Sequence, residues 1–353
     1  MYGKIEVRSS FFLKKSVGLS AFREDMRTIE DIRAAVSSEL SAFERQMDEA
    51  MSSRQPELAA VLDYIRAARG KRLRPLLVIL SAGLFGGVTA QAFHAAVMIE
   101  MFHTASLVHD DVVDGADMRR GRASVHAAWS PKAAVLLGDF LLSRALQLAV
   151  QYREYDLMEE ASAVVAAMSE GEMLQLEKAA TLDITEEEYD RVISAKTAAL
   201  LAMCTRWGAI AAGGSADDAA RMRRFGHALG MAFQIRDDLF DIAPPAAAGR
   251  IGKPTGNDLR ERKLTLPVIH ALRQASSERR EELLRLLAKG DGLTDEDVAC
   301  IATAVTELGG ADYACRRMEA FADDAARELA FYADRPKAGL LQDLLQYIIH
   351  RDN

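Results

Sequence analysis

The chain has 353 residues, of which 50% are hydrophobic and 27% are charged, with only 8 prolines. This composition supplies an apolar core and excludes disordered and fibrous classes of protein. The formal net charge of -8 argues against a protein that binds nucleic acid. The three cysteines share no metal-ligand spacing and indicate free thiols in a reducing compartment. We therefore expect a cytoplasmic globular protein.

The first residues mix charges with short apolar runs and lack the apolar core of a signal peptide. They predict an N-terminal arm over residues 1–24, followed by one domain over residues 25–353. Apolar residues then recur at three- and four-residue steps, which predicts one amphipathic helix: Ile29, Ile32, Val36, Leu40, Phe43 and Met47. Pro56 suits the first turn of the next helix.

Residues 75–99 carry no formal charge, and a stretch of this length would cross a bilayer. However, glycines and polar side chains interrupt it, among them Gly86 and Gly87. We predict two buried helices joined by a glycine turn, and no membrane span.

The remaining sequence is also helical in its periodicity. Thr185 with Glu188 forms a capping-box pattern, and Thr294 precedes three acidic residues that suit a helix N-terminus. No alternating strand pattern or hairpin turn signal is evident. Two segments, 115–131 and 242–267, interrupt the helical pattern, and each follows an acidic cluster. The prediction is an all-α fold, with two similar helix ends facing one cavity.

The first acidic cluster contains Asp110, Asp111 and Asp114. Asp110 and Asp114 lie one turn apart on one helix face, which continues backwards through a mostly apolar stripe. Two carboxylates about 6 Å apart repel by roughly 3 kcal/mol at an effective dielectric constant near 20. An inward-facing pair of this kind therefore requires cations.

The second cluster repeats this geometry 127 residues later, with Asp237, Asp238 and Asp241. Hard carboxylate oxygens without nearby His or Cys favour Mg²⁺ over zinc or copper. Two solvated acidic helix ends are the alternative, but both clusters lie at the head of apolar stripes. The pair therefore predicts a magnesium site.

Four separate basic groups provide cations for phosphates. They are GKRLRP at 70–75, RRGR at 119–122, Lys196 within an apolar helix, and Lys253 with Lys263. The planar guanidinium of arginine can donate two hydrogen bonds to diphosphate oxygens, and the ammonium of lysine adds a compact positive charge. Together with the acidic clusters, these groups predict a cavity for diphosphates bridged to Mg²⁺.

Each group also has a structural interpretation. Arg119 and Arg120 could neutralise Asp114 and Asp117, and Lys196 could extend out of its helix. Three residues of the first acidic helix are more often packed or structural than functional: Glu100, His103 and His109.

At this point the sequence resembles the trans-isoprenyl diphosphate synthase family, the polyprenyl synthetases, and in particular its long-chain members. The resemblance extends from about residue 26 to the C-terminus. It depends on an ordered set of motifs: GKRLRP at 70–75, HTASLVHDDVVDGADMRRG at 103–121, LLGDFLL at 136–142, Lys196-Thr197, QIRDDLFD at 234–241 and GKPTGNDLRERKLTLP at 252–267. It implies an all-α bundle around a central cavity and a homodimer.

The resemblance also implies an activity, the head-to-tail joining of isopentenyl diphosphate to an allylic diphosphate such as farnesyl diphosphate. Three Mg²⁺ ions would be held by Asp110, Asp114, Asp237, Asp238 and Asp241, with Asp111 in support. The residues implied for the allylic diphosphate are Arg119, Lys196, Lys253 and Lys263. Those implied for isopentenyl diphosphate are Lys71, Arg74, His103 and Arg120. Thr197 and Gln234 would lie beside the reacting carbons.

Two departures and two competing classes qualify this interpretation. Glu261-Arg262-Lys263 stands where the family has Glu-Gly-Lys, and the loop at 242–250 is less polar than usual. A class I terpene cyclase would share the first motif, but would carry an Asn- and Ser-containing second motif and no GKRLRP. A non-catalytic subunit of a heteromeric synthase would be expected to lose aspartates, and none is lost here.

Product length is predicted from the residues preceding Asp110. In the family, short-chain enzymes carry bulky aromatics four or five residues before the first aspartate, whereas this chain has Ser106 and Ala105. Deeper walls would come from Met98, Met101 and Phe102, with Leu137 and Leu141 from a neighbouring helix. From Asp110 to Met98 a helix covers about 18 Å, which favours about six to ten isoprene units. We predict octaprenyl diphosphate for a quinone side chain, with geranylgeranyl or farnesyl diphosphate as the alternative.

Overall fold

The computed structural model describes residues 27–68, 70–243 and 255–351. The predicted arm at 1–24 and Lys253 lie outside these residues. The helices of the first half are α1 Ile29–Ala34, α2 Ser37–Ala50, α3 Pro56–Ala67, α4 Leu73–Phe85, α5 Ala90–Val113, α6 Val125–Ala128, α7 Pro131–Tyr152 and α8 Tyr155–Thr181. Those of the second half are α9 Glu186–Ile193, α10 Ala199–Ala211, α11 Ala216–Asp241, α12 Asn257–Arg260, α13 Leu266–Gln274, α14 Ser277–Leu287, α15 Asp295–Glu307, α16 Gly310–Ala330 and α17 Ala338–His350. The all-α prediction is confirmed.

The single helix predicted over residues 29–47 is wrong, because the structure has two. Val36 leaves the helical region with φ -133° and ψ 30°, which separates α1 from α2. Ile32, Val36 and Phe43 are all buried nevertheless. A short break leaves the spacing of the apolar residues unchanged, so the pattern could not reveal it.

The charge-free stretch at 75–99 forms two helices, as predicted. α4 ends before Gly86 and Gly87, whose φ angles of 142° and 109° favour glycine. Among the described helices, α7 is long and apolar enough to cross a membrane by length and composition, with 39% of the tested stretch buried. Core helices of soluble proteins meet the same criteria, so this is weak evidence.

Predicted helix starts are confirmed at three positions. Pro56 occupies the first turn of α3. Thr185 and Glu188 form a capping box that begins α9, and Thr294 with Asp297 forms another that begins α15. The side-chain oxygens satisfy backbone N–H groups that the first turn of a helix leaves unpaired.

A small hairpin contradicts the expectation of no hairpin signal. Strands β1 Met118–Arg119 and β2 Arg122–Ala123 pair antiparallel around Arg120 and Gly121. These two turn residues have φ 53° and 75°, as a two-residue turn with positive φ at both positions requires. Strands of two residues are too short for alternation, and arginine is an uncommon first residue in such a turn.

The helices pack so that both acidic clusters lie near Lys263. α11 contacts α10 and α16, while α5 contacts α4 and α7. α5 and α11 each end at an acidic cluster. The Nζ atom of Lys263, which precedes α13, lies 3.5 Å from the Oδ1 atom of Asp114 and lines a cleft with Asp238. The predicted meeting of two helix ends is therefore observed.

Candidate active site

The first acidic cluster occupies the last turn of α5. Burial raises the pKa of Asp110 to about 6, against the opposing effect of the Lys196 charge. Asp114 is the C-terminal cap of α5 and is more exposed. A partly buried carboxyl with a raised pKa is a favourable place for a bound cation, because the cation stabilises its charged form.

Asp111 has a different environment, since only 4% of it is exposed. Its Oδ1 atom accepts a hydrogen bond of 2.7 Å from the Nε atom of Arg119 in the hairpin. Arg119 therefore pairs with Asp111 and not with Asp114 or Asp117. This ion pair fixes the hairpin against α5 and keeps the guanidinium close enough for its charge to act on Asp110.

The preceding residue, His109, is packed, as its structural interpretation expected. Its Nε2 atom donates a hydrogen bond of 3.2 Å to the carbonyl of Val135 in α7. A Cβ atom at Gly138 would lie only 2.0 Å from that nitrogen. Gly138, the glycine of the LLGDFLL motif, thus makes room for the imidazole beside the acidic turn.

The second acidic cluster ends α11, and its three carboxylates have different partners. Asp237 forms an ion pair with Arg351 near the C-terminus. Asp241 accepts hydrogen bonds from the backbone N–H groups of Asn257 and Asp258, at 3.1 and 2.9 Å, and thereby holds the start of α12. Asp238 is buried, and burial raises its pKa to about 7.

A cleft lies beside the second cluster, and Lys263 connects it to Asp114 of the first cluster. Residues predicted for the site line it, namely Lys196, Gln234, Asp238 and Lys263. Burial would lower the pKa of Lys263, but its hydrogen bond to Glu261 and the charges of Asp114, Glu261 and Asp258 raise it above its usual value. Arg262 adopts φ 57°, a left-handed conformation that suits the glycine found there in the family.

The Lys196-Thr197 pair lies in a π-helix, Ser194–Ala198, between α9 and α10. This wider turn approaches α11 closely, since a Cβ atom at Gly230 would lie 2.5 Å from the Cα atom of Ala198. The Oγ1 atom of Thr197 donates a 2.8 Å hydrogen bond to the Oε1 atom of Gln234. Single-turn π-helices are frequent at functional sites.

Lys196 does not extend away from the protein. It forms an ion pair with Glu172 of α8 and a hydrogen bond of 3.4 Å with Gln175. The ammonium therefore lies over the cleft, where the Coulomb interaction with Asp110 is felt.

The three basic residues of the loop before α4 have different surroundings: one forms buried ion pairs, and two remain available for a ligand. Arg72, with φ 53°, is buried and pairs with Glu100 and Glu44 at 2.7 and 3.1 Å. Glu100 is thus structural, as expected. Lys71 donates to the hydroxyl of Tyr347 at 3.0 Å, and the buried Nε atom of Arg74 has no hydrogen-bond partner among the described residues. A buried cation of this kind suits an anionic ligand.

His103 and Arg120 lie next to this loop. Burial, and then the charges of Arg74 and Arg120, lower the pKa of His103 well below its usual value, so the imidazole is neutral. Arg120 donates to the carbonyl of Ala68 at 3.1 Å, and a Cβ atom at Gly70 would lie 2.5 Å from its guanidinium carbon. The four residues predicted for isopentenyl diphosphate are therefore neighbours.

The residues predicted to control chain length lie in the core. Met98, Met101 and Ala105 are 0% exposed, and Phe102 is 7% exposed. Ser106 is half-buried and donates to the carbonyl of His103 at 2.8 Å. Leu137 and Leu141 of α7 are buried too, and α7 packs on α5.

Four residues of the site were missed by sequence reasoning: Glu172, Gln175, Tyr189 and Asp258. Asp258 is half-buried in the cleft, and burial with the charge of Asp241 raises its pKa well above its usual value. Its place in the GKPTGNDLRERK segment was a signal that could have identified it. Tyr189 gave no such signal, because buried tyrosines are common in helices.

The carboxylate oxygens of the two acidic clusters are ligands of the kind that a hard divalent cation prefers. Asp238 lines the cleft, Asp114 lies beside Lys263, and the carboxyls of Asp110 and Asp238 have raised pKa values. Within the described ranges, no group of three or more His, Cys, Asp or Glu side chains is arranged to hold an ion. Further oxygen ligands would have to come from water or substrate, as is usual for Mg²⁺.

Comparison with known proteins identifies the family. The polyprenyl synthetase profile matches residues 55–305. A short chain isoprenyl diphosphate synthase of Methanothermobacter thermautotrophicus is 37% identical over 309 residues, covering 82% of this chain and 93% of the relative. Octaprenyl diphosphate synthase of Escherichia coli is 36% identical over 289 residues, covering 82% and 88%.

A crystal structure of polyprenyl synthase from Caulobacter crescentus, complexed with calcium and isoprenyl diphosphate, superposes with a TM-score of 0.85. The two sequences are 31% identical, and the match covers 92% of this chain and 98% of the other. The chain belongs to the polyprenyl synthetase family. It is an enzyme, a trans-prenyl diphosphate synthase, as the motifs indicated.

Proposed function

We propose that the protein is a Mg²⁺-dependent synthase that condenses isopentenyl diphosphate head-to-tail onto an allylic diphosphate. The observation that carries this proposal is the position of Lys263. This lysine lies beside Asp114 of one acidic cluster and lines a cleft with Asp238 of the other. Calcium and isoprenyl diphosphate in the Caulobacter crescentus structure support a divalent metal and a diphosphate in that cleft.

We assign residues of the chain to the metal ions and to the two diphosphate substrates as follows. Asp110, Asp114, Asp237, Asp238 and Asp241 would hold the metal ions, and Asp111 would support them. When bound, Mg²⁺ neutralises charge on the leaving diphosphate. Arg119, Lys196 and Lys263 bind the allylic diphosphate, and Lys253 would complete this set. Lys71, Arg74, His103 and Arg120 bind isopentenyl diphosphate.

Thr197 and Gln234 are placed to act on the reacting carbons. An oxygen dipole preorganised beside a developing allylic cation stabilises it at no cost of reorganisation. The C–O bond of the allylic diphosphate breaks, the alkene of isopentenyl diphosphate forms the new C–C bond with the allylic carbon, and the departed diphosphate accepts the proton that the resulting carbocation loses. No side chain acts as a nucleophile.

We infer a long-chain product, with octaprenyl diphosphate favoured, that supplies a quinone side chain in the cytoplasm. The support is the small size of Ala105 and Ser106, one helical turn before Asp110. The names of the relatives include both short-chain and octaprenyl enzymes, so they do not decide the length. Geranylgeranyl diphosphate is the alternative.

The experiment that tests the function is an assay of the purified protein alone. It contains Mg²⁺, farnesyl diphosphate and labelled isopentenyl diphosphate, and the dephosphorylated product is measured by mass spectrometry. We expect a polyprenol series that disappears when EDTA removes the metal. A cyclic hydrocarbon would indicate a terpene cyclase, and no turnover without a second chain would indicate a partner subunit.

The two basic groups should separate by substrate. Lys71→Ala should raise the KM for isopentenyl diphosphate by roughly tenfold, because one charge-assisted hydrogen bond is lost. Arg119→Ala should raise the KM for the allylic diphosphate instead. Steady-state kinetics with each substrate varied in turn measure both effects, and Arg280→Ala, at an exposed position of α14, is the control. The reverse pattern would contradict the assignment of the two sites.

We also propose a homodimer through α7 and α8. The large apolar side chains exposed on these helices are Val135, Leu136, Leu146, Val150, Tyr152, Tyr155, Met173 and Leu176. At about 100° per residue, those of α7 other than Tyr152 fall within about 100° of arc, and those of α8 fall within about 60°. Tyr152, at the last residue of α7, lies outside this arc and stacks on His94. An apolar face of this kind is typical of an interface between subunits.

Leu136→Lys should therefore convert the dimer to a monomer, since a charge at an interface core opposes association. Leu136 is 68% exposed, so the monomer itself should fold. Phe331→Lys, at a residue that is 66% exposed and outside this face, is the control. Light scattering coupled to size-exclusion chromatography measures the mass, and an unchanged dimer would place the interface elsewhere.

A further inference from the structure

Tyr189 is a buried tyrosine whose hydroxyl points at the second acidic cluster. It lies in α9, and only 3% of it is exposed. Its Oη atom donates a hydrogen bond of 2.7 Å to the Oδ2 atom of Asp238, which is also 3% exposed. Both residues line the cleft that contains Lys196 and Lys263. None of the roles assigned above uses this tyrosine.

The other oxygen of Asp238 continues a chain of hydrogen bonds. The Oδ1 atom accepts a bond of 2.9 Å from the Nε2 atom of Gln234, one helical turn earlier in α11. The Oε1 atom of Gln234 accepts the 2.8 Å bond from Thr197. Three hydrogen bonds therefore connect Tyr189 to Thr197 through Asp238 and Gln234.

The chemistry of these groups determines which of them donates and which accepts in each hydrogen bond. With a cation on the same carboxylate, Asp238 would be ionised and would only accept hydrogen bonds, so the NH₂ group of Gln234 would face Asp238, as it does in the structure. The carbonyl oxygen of Gln234 consequently faces Thr197 and the cleft. Each oxygen of Asp238 keeps a second lone pair, so the chain is compatible with a cation on the same carboxylate.

We propose that Tyr189 is a positioning residue that orients the Gln234 amide through Asp238. The inference rests on the proposed function, in which the Gln234 carbonyl stabilises the allylic cation. With the hydroxyl present, Asp238 is held from both sides and presents one oxygen to Gln234. Without it, the carboxylate can rotate and the amide can turn its NH₂ group, the positive end of its dipole, toward the cation.

This role predicts a specific kinetic signature for Tyr189→Phe. The ring stays in place and only the hydroxyl is lost, so both diphosphate sites keep their cations. We expect kcat to fall by roughly 10- to 100-fold, the size typical of misplacing one stabilising dipole, while both KM values stay within about twofold. A general loosening of the cleft would raise the KM values as well.

Tyr313→Phe is the matched control. The Oη atom of Tyr313 also donates to a carboxylate, that of Glu186 at 2.6 Å, but this pair does not line the cleft. We expect its kcat to stay within about twofold of the wild type. Thermal unfolding of both variants shows whether any loss of activity reflects loss of the fold.

A double-mutant cycle with Gln234→Leu tests whether Tyr189 acts through the amide. The effect of Tyr189→Phe on kcat should disappear when Gln234 is already leucine. Equal effects of Tyr189→Phe in both backgrounds would overturn the positioning role while leaving the proposed function intact. An inactive wild-type enzyme in the same assay would overturn both.

Discussion

Replacing Asp110 or Asp237 by alanine should lower turnover by roughly a thousandfold or more, with the fold preserved. Each replacement removes a carboxylate from one of the two acidic clusters. The burial that raises the pKa of Asp110 makes this carboxylate an unfavourable charge in the absence of a cation. Its removal should therefore not destabilise the metal-free protein.

The assay for these variants uses saturating Mg²⁺ and both substrates, with thermal unfolding measured in parallel. Asp324→Ala is the control, because Asp324 pairs only with Arg327 on an exposed face of α16 among the interactions described. Near-normal turnover by either variant would show that the two clusters do not share one metal site.

Replacing Ala105 by tyrosine should shorten the product sharply. Ala105 is 0% exposed and lies in α5 five residues before Asp110, where α5 packs against α7. A growing prenyl chain that runs along this face would meet the phenol ring about 7.5 Å from Asp110, the rise of five helical residues. Products no longer than geranylgeranyl diphosphate are the expected outcome.

Ala105→Ser is the matched control, since it adds one atom and should leave the product distribution unchanged. Mass analysis of the dephosphorylated products compares the two variants at equal turnover. Because a ring in a packed core can also strain the fold, thermal unfolding of Ala105→Tyr accompanies the assay. An unaltered product length would place the chain along a different helix.

The sequence predicted the positions of the acidic clusters well because helical spacing is a local property. Asp110 and Asp114 are one turn apart in any α-helix, and apolar stripes indicate which face points inward. The capping boxes at Thr185 and Thr294 were recognisable for the same reason, since four consecutive residues decide them.

Pairings between distant segments could not be predicted in this way. The ion pair between Arg119 and Asp111 replaces the partners that proximity suggested, because the hairpin turns the arginine back toward α5. Arg351 and Asp237 are separated by 114 residues, and only the packing of the C-terminal helix brings them together. The contact of Tyr189 with Asp238 is of the same kind.

The π-helix at Ser194–Ala198 connects α9 to α10, and it has a consequence for the length of this segment. A single-turn π-helix takes up one residue more than the α-helical turn that it replaces, so deleting one residue there would restore a continuous α-helix while α9 and α10 kept their orientation. The residues of the wide turn itself would move, and Lys196 and Thr197 would lose the positions from which they reach Gln175 and Gln234. A change in the number of residues in this segment would therefore alter the site and leave the helices around it in place.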